Sequence, residues 1–250
     1  MSNGLWQKAA DALTSRALLE KQGGEVSIER CTLRAGTVWQ VPTFPMDDRA
    51  QVFFFLNDAG YIVTDSKAWN IAAQSMFVPN FDREGVVIKA VGRDLEMFRF
   101  QFDMTPYDVD LYIWYHMILP RYVGYEQAFS YLEEHTGLAG SAVRTSNLIV
   151  ETAFGRWFFG MNYGTGGPEF VGEHMHPEFD QWVCALPGAD FTYVIDGQER
   201  RMRENDVALI KMGTKHQILP TDEGKIRYLW LKCATNGWSK GRDGDIGSEP

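Results

Sequence analysis

From about residue 26 onward, the apolar side chains fall in short runs or strict alternation rather than at helical spacing. Segments 26–33, 52–56, 61–64, 76–78, 86–91 and 96–102 are separated by Gly, Pro, Asp and Asn at intervals of roughly ten residues. Residues two apart on a strand face the same side, so this rhythm predicts a small antiparallel sandwich or barrel. Upstream, residues 5–21 carry Leu5, Ala9, Leu13, Ala17 and Leu18 with polar residues between them, which predicts an amphipathic helix on the outside of something larger. A helical interlude is predicted over 109–119, interrupted by Pro120, and over 125–135, ended by Thr136 and a left-handed cap at Gly137. Strand rhythm returns at 147–152 and continues through 226–233. From Asn236 the chain is polar and Gly-rich, which predicts a flexible tail.

These elements divide the chain into an N-terminal helix (1–25), a first β half (26–104), a partly helical connector (105–145), a second β half (146–235) and the tail (236–250). The halves share an order. Residues 55–65 followed by 73–79 in the first, and 185–197 followed by 205–211 in the second, each read as a hairpin, a turn and a strand.

Composition narrows the function. With 250 residues, 45% of them hydrophobic, there is ample material for one large core or two small ones. A formal charge of −9 argues against a surface built for phosphate backbones, so no nucleic-acid partner is expected. No run approaches the roughly 18 to 20 apolar residues of a membrane span, and charges interrupt the N-terminal segment where a secretory apolar core would lie. The expectation is a cytoplasmic protein with a small-molecule substrate, assembled as a homodimer. Cys31, Cys184 and Cys233 are widely spaced and odd in number, and read as buried, reduced thiols.

Three of the five histidines, His174, His176 and His216, fall within 43 positions of the second half. On a strand, His174 and His176 present two imidazoles on one face, and a third on a neighbouring strand completes a set suited to zinc, iron, nickel, copper or manganese. His116 and His135 fall in the connector and read as surface or capping residues.

The second half resembles the cupins, whose first motif is G-x5-H-x-H-x(3 or 4)-E-x6-G and whose second is G-x5-P-x-G-x2-H. His174, His176, Gln181 and Gly188 reproduce the first from its H-x-H onward, with Gln in place of Glu. Asn205, Lys211, Gly213 and His216 reproduce the spacing of the second, with Asn and Lys replacing Gly and Pro. The motif's opening Gly is shifted or lost.

The resemblance implies an all-β chain of two cupin barrels, with a divalent metal (Mn, Fe, Zn or Ni) held by His174, His176, Gln181 and His216. Asp180 is the alternative fourth ligand, but only Gln181 leaves six residues before Gly188. On the same template the first half has Phe44 and Met46 at H-x-H, Gln51 at the acidic position, Asp58 at the closing Gly and Glu84 at the last His, which implies a degenerate, metal-free cup.

Around the metal, Lys211 is a candidate to hold a substrate carboxylate or donate a proton, and Arg156 a candidate carboxylate clamp. Glu178 is a third candidate catalytic group; Tyr163, Trp182 and Tyr193 are candidate pocket walls. The implied chemistry is isomerase, lyase or hydrolase action on a small polar acid. The one-active, one-degenerate layout is similar to ureidoglycine aminohydrolases, and the Gln-containing site to cupins acting on sugar acids. An iron-dependent dioxygenase and a non-catalytic ligand-binding module are the alternatives.

Overall fold

A computed structural model describes residues 12–20, 26–115, 117–132, 141–149, 154–165, 168–222, 224–234 and 236–237. It folds as two compact units, one of residues 1–109 with 116–127, the other of 110–115 with 128–250. The first holds β1 (Leu13–Leu19), β2 (Val26–Leu33), β3 (Val38–Gln40), β4 (Arg49–Phe55), β5 (Gly60–Thr64), β6 (Ala68–Asn70), β7 (Ser75–Val78), β8 (Val86–Ala90) and β9 (Leu95–Asp103). Helix α1 (Pro106–Tyr115) follows, then β10 (Arg121–Val123). The second unit holds β11 (Phe129–Leu132), β12 (Val143–Ile149), β13 (Trp157–Gly164), β14 (Glu169–His174), β15 (Asp180–Ala185), β16 (Asp190–Ile195), β17 (Gln198–Arg203), β18 (Val207–Ile210), β19 (His216–Thr221) and β20 (Arg227–Cys233).

Each unit is built from a six-stranded and a four-stranded antiparallel sheet. In the first the orders are β1-β2-β9-β4-β7-β10 and β3-β8-β5-β6. In the second they are β11-β12-β13-β20-β15-β18 and β14-β19-β16-β17. The first core takes Phe53, Phe55 and Phe77 from the larger sheet and Trp39, Ile62 and Ile88 from the smaller. The second takes Phe158, Val183 and Trp230 from the larger sheet and Val171, Phe191, Tyr193 and Ile218 from the smaller. Alternate residues of each strand therefore meet inside a cup, as the period-2 pattern requires. Among the described residues, no helix is long and apolar enough to cross a membrane.

The helical reading of 5–21 is corrected over the part that is described, because Leu13–Leu19 is a strand paired antiparallel with β2, from Leu13 opposite Leu33 to Leu19 opposite Ile28. Leu13, Ala17 and Leu18 fit either element locally. The unpaired edge of β2 decides, since a row of ladder hydrogen bonds satisfies backbone groups that would otherwise face solvent unpaired. Residues 1–11 lie outside the described residues.

The connector is also rearranged. Its helix starts at Pro106 rather than 109 and ends at Tyr115. Thr105 caps it: Asp108 N–H donates to Thr105 Oγ1 at 3.3 Å, and Thr105 N–H donates to Asp108 Oδ2 at 3.0 Å, with Pro106 in the first turn. Among the described residues of the second predicted helix, only Tyr125–Gln127 is helical, as a short 3-10 turn, and Phe129–Leu132 is a strand on β12. Phe129 and Tyr131 stand on one face with ring centroids 5.8 Å apart, the spacing of a strand and not of a helix. His116, His135, Gly137 and the tail from 238 lie outside the described residues.

In the second unit a buried carboxylate organises the loop before β20. Glu169 accepts from the backbone N–H groups of Gly224, Lys225 and Ile226 at 2.6, 3.1 and 3.1 Å. Gly164 is required beside it, because a Cβ there would collide with the Glu169 carboxylate. Glu169→Ala strands three backbone donors and is expected to lower urea-unfolding stability by about 3 kcal/mol or more. Gly164→Ala is expected to destabilise by expelling the same carboxylate, and the double variant to fall short of the sum of the two losses.

Cys31, Cys184 and Cys233 are buried free thiols. Burial pushes the Cys31 thiol up to about 12 and raises that of Cys184 as well, so the thiolate fraction at neutral pH is negligible. A thiol reagent at pH 8 is expected to leave Cys31 and Cys184 unlabelled in the folded protein, and to titrate all 3 cysteines after denaturation.

Candidate metal centre

His174 closes β14 and His216 opens β19, and the two are Cα partners across the antiparallel pair. Their ring centroids stand 4.2 Å apart. His176, just past the end of β14, brings its ring to 5.0 Å from His174 and 5.1 Å from His216. One potential ligand atom from each of the three lies within 4.8 Å of the others. His216 is 1% exposed, while His174 and His176 are half-buried, so the cluster has one imidazole inside and two nearer the surface.

The hydrogen bonds set the tautomers. His174 Nδ1 lies 2.8 Å from the Gly172 carbonyl oxygen and His216 Nδ1 lies 3.0 Å from that of Thr214. A carbonyl only accepts, so each Nδ1 carries a proton, and in the neutral ring that leaves the lone pair on Nε2. This is the outer hydrogen bonding that orients histidines toward a metal. A set of neutral imidazoles suits a borderline divalent ion. Among the described residues, these three form the one His, Cys, Asp and Glu group compact enough to hold an ion.

Gln181 is buried on β15, opposite Ile210 on one side and Lys232 on the other. It shares the inner face with Val183 and Ala185, both core residues. Asp180 faces the other way and is engaged elsewhere, accepting from Lys211 Nζ at 2.9 Å and Met212 N–H at 2.8 Å. Tyr193 stacks on His216 at 6.0 Å with the ring planes 20° apart. Arg156 is buried at the end of β13 that carries Phe158, its guanidinium carbon 5.8 Å from the Trp157 ring centroid. Glu178 is half-buried in the turn between His176 and β15.

Three expectations are corrected. The Lys211 side chain is 65% exposed and its ammonium pairs with Asp180, so it is not an arm reaching into the cup. Trp182 has the strand parity of Asp180, opposite to Gln181, and packs on Trp157 at 5.9 Å. Tyr163 lies near the far end of β13, on the face opposite Phe158, with its hydroxyl 3.3 Å from Ser130 Oγ. In each case the parity of a strand, or the position along it, carries the side chain away from the histidines.

Sequence reasoning passed over Lys232, Phe158 and Phe179. Tyr228 and Trp230 point into the core from β20, so alternation puts Lys232 on the same face. Its Nζ lies 5.0 Å from the Trp230 ring centroid and 5.8 Å from that of Phe179. Phe179 in turn stands 4.8 Å from Phe158 and 6.0 Å from the His176 ring. A cation in step with the inward Tyr228 and Trp230 was the available signal.

In the first unit, Arg49 covers the Phe44 ring at 4.9 Å. Gln51 donates to the Pro42 carbonyl at 2.6 Å, beside a cavity of about 10 Å³. Glu84 accepts from Ser66 Oγ at 2.9 Å.

No family model matches the sequence, and no curated protein does. Solved structures match its fold. The putative glyoxylate induced protein from Pseudomonas aeruginosa superposes with a TM-score of 0.69 at 11% identity, covering 92% of this chain and 82% of that one. The oxalate decarboxylase of Bacillus subtilis, a protein with Mn(II) centres, gives 0.62 at 9%, covering 91% and 72%. A cupin 2 conserved barrel domain protein from Leptotrichia buccalis gives 0.52 at 13%, covering 89% of each chain. The fold is that of the two-cupin proteins, in agreement with the motif spacing.

His176→Ala and His216→Ala are each expected to abolish metal retention, measured by elemental analysis, with the circular dichroism of the folded protein preserved. Glu84→Ala is expected to leave metal content unchanged.

Proposed function

From this two-cupin scaffold, we propose that the second cup is an enzyme active site with one divalent metal on His174, His176, His216 and Gln181. Its chemistry is non-redox isomerase, lyase or hydrolase action on a small polar acid. The observation that carries the reading is the cross-strand His174 and His216 pair, with both Nδ1 atoms committed to backbone carbonyls.

When bound, the metal supplies Lewis-acid stabilisation of negative charge developing on substrate oxygen. The Gln181 amide is neutral, so the site retains more positive charge than one with a carboxylate in that place. Lys232 attracts the substrate carboxylate, and its position between Trp230 and Phe179 lowers the local dielectric and strengthens that attraction. Phe158 and Phe179 exclude water from the cup mouth. Glu178 takes and returns a proton at its carboxylate, half-buried and two residues beyond His176. Arg156, which is buried, adds a second cation at the same end of β13 as the half-buried Lys232. Oxalate decarboxylase, by its name, acts on a small dicarboxylate, which supports an acid substrate. Three buried free thiols fit a reducing, cytoplasmic setting.

The aromatic wall of Phe158, Phe179 and Trp230 favours a second reading, an iron-dependent dioxygenase on an aromatic diol. Metal analysis followed by a thermal-shift screen of sugar acids, ureido acids and aromatic diols, with and without chelator, tests both. Manganese, zinc or nickel with chelator-sensitive binding of an acid supports the first. Iron with O2 uptake moves the assignment to the second, and a protein that takes up no metal overturns both in favour of a ligand-binding module. Lys232→Met is expected to weaken carboxylate binding about 10- to 100-fold, the value of a charge-assisted hydrogen bond, with metal content unchanged.

A further inference from the structure

The turn between β18 and β19 supports two of the three histidines, and one buried carboxylate holds it. Asp180, its side chain 9% exposed, accepts from Met212 N–H at 2.8 Å through Oδ1 and from Lys211 Nζ at 2.9 Å through Oδ2. Thr214 N–H donates to the Lys211 carbonyl at 3.0 Å, and Gly213 adopts φ +76°, a conformation that favours glycine. Two bonds then run from the turn to the histidines. Gly213 N–H donates to the His176 carbonyl at 2.8 Å, and the Thr214 carbonyl accepts from His216 Nδ1 at 3.0 Å.

We infer that Asp180 is a positioning residue for the metal centre: by pinning Met212 it fixes the turn that backs His176 and sets the ring orientation and tautomer of His216. The inference rests on the metal reading above and reassigns both residues of the pair. Asp180 acts behind the ligands rather than among them, and Lys211 neutralises it from the solvent side. The two bonds to Asp180 differ in weight. Lys211 is mostly exposed, so its ion pair contributes little, whereas the Met212 N–H bond is charge-assisted and meets a largely buried oxygen. Gln181 follows Asp180 directly, so the same residue also anchors the start of the strand that carries the amide.

The test compares Asp180→Ala, Asp180→Asn and Lys211→Met in the full chain, using zinc and manganese competition against a chromophoric chelator. Imidazole nitrogen NMR of the metal-free protein, at a fixed pH near 8, is the second readout. Asp180→Ala is expected to weaken metal binding about 10- to 100-fold, the usual loss for a group supporting a ligand, and to mix the His216 tautomers. Asp180→Asn keeps an oxygen for Met212 and is expected to stay within about 3-fold of wild type, and Lys211→Met within about 2-fold. Asp180→Ser, too short to reach Met212, replaces the alanine variant if that one does not fold. Wild-type affinity and an unchanged His216 tautomer in Asp180→Ala overturn the inference, as does an equal loss in Asp180→Asn. If the wild-type protein binds neither metal, the metal reading falls by itself. The tautomer then decides for Asp180, an unchanged His216 in Asp180→Ala overturning its role.

Discussion

The histidine cluster of this chain depends on the register between β14 and β19. Because His174 sits opposite His216, two imidazoles that are far apart in sequence share one cross-strand position. A slip of one residue would turn one ring to the outer face and dissolve the cluster. What remains is orientation, and backbone carbonyls supply it, through Gly172 for His174 and Thr214 for His216. Protein carbonyls are fixed in place by the strands and turns that carry them, so these two bonds tie ring orientation to the fold.

The same architecture appears twice with opposite contents. Each unit lays a six-stranded sheet against a four-stranded one over an aromatic and aliphatic core. In the second, polar chemistry is concentrated at one end of the cup, where Tyr193 stacks on His216, His216 meets His176, His176 meets Phe179, and Lys232 lies over Phe179. In the first, the matching positions are turned to structural use: Phe44 lies under Arg49, Gln51 bonds the Pro42 carbonyl, and Glu84 holds Ser66. Phe44, Gln51 and Glu84 are thus tied into their own neighbourhood.

The site was legible in part. The H-x-H pair and the spacing to His216 marked the triad, and the count from Gln181 to Gly188 separated it from Asp180; strand parity places Gln181 inward and Asp180 on the opposite face. Gly213 at φ +76° accounts for the glycine in the second motif in conformational terms. The candidates that moved away, Tyr163, Trp182 and Lys211, were chosen by residue type and nearness in sequence. On a strand those two criteria are blind to which face a side chain occupies. Lys232 was overlooked for the converse reason: it lies 56 positions beyond His176 in the chain, yet Phe179 bridges the distance in space.

The sequence by itself determined the local matters: two β-rich halves, the punctuation of strands, and the histidines with their spacing within each motif. These follow from periodicity and turn chemistry, which are properties of neighbouring residues. Only the tertiary structure decided that Leu13–Leu19 joins a sheet edge, that Phe129–Leu132 is a strand, and that Asp180 reaches across to Met212. Strand pairing is a contact between distant segments, and its free energy depends on which edge is unpaired and which face is already filled. No window of the sequence contains that information.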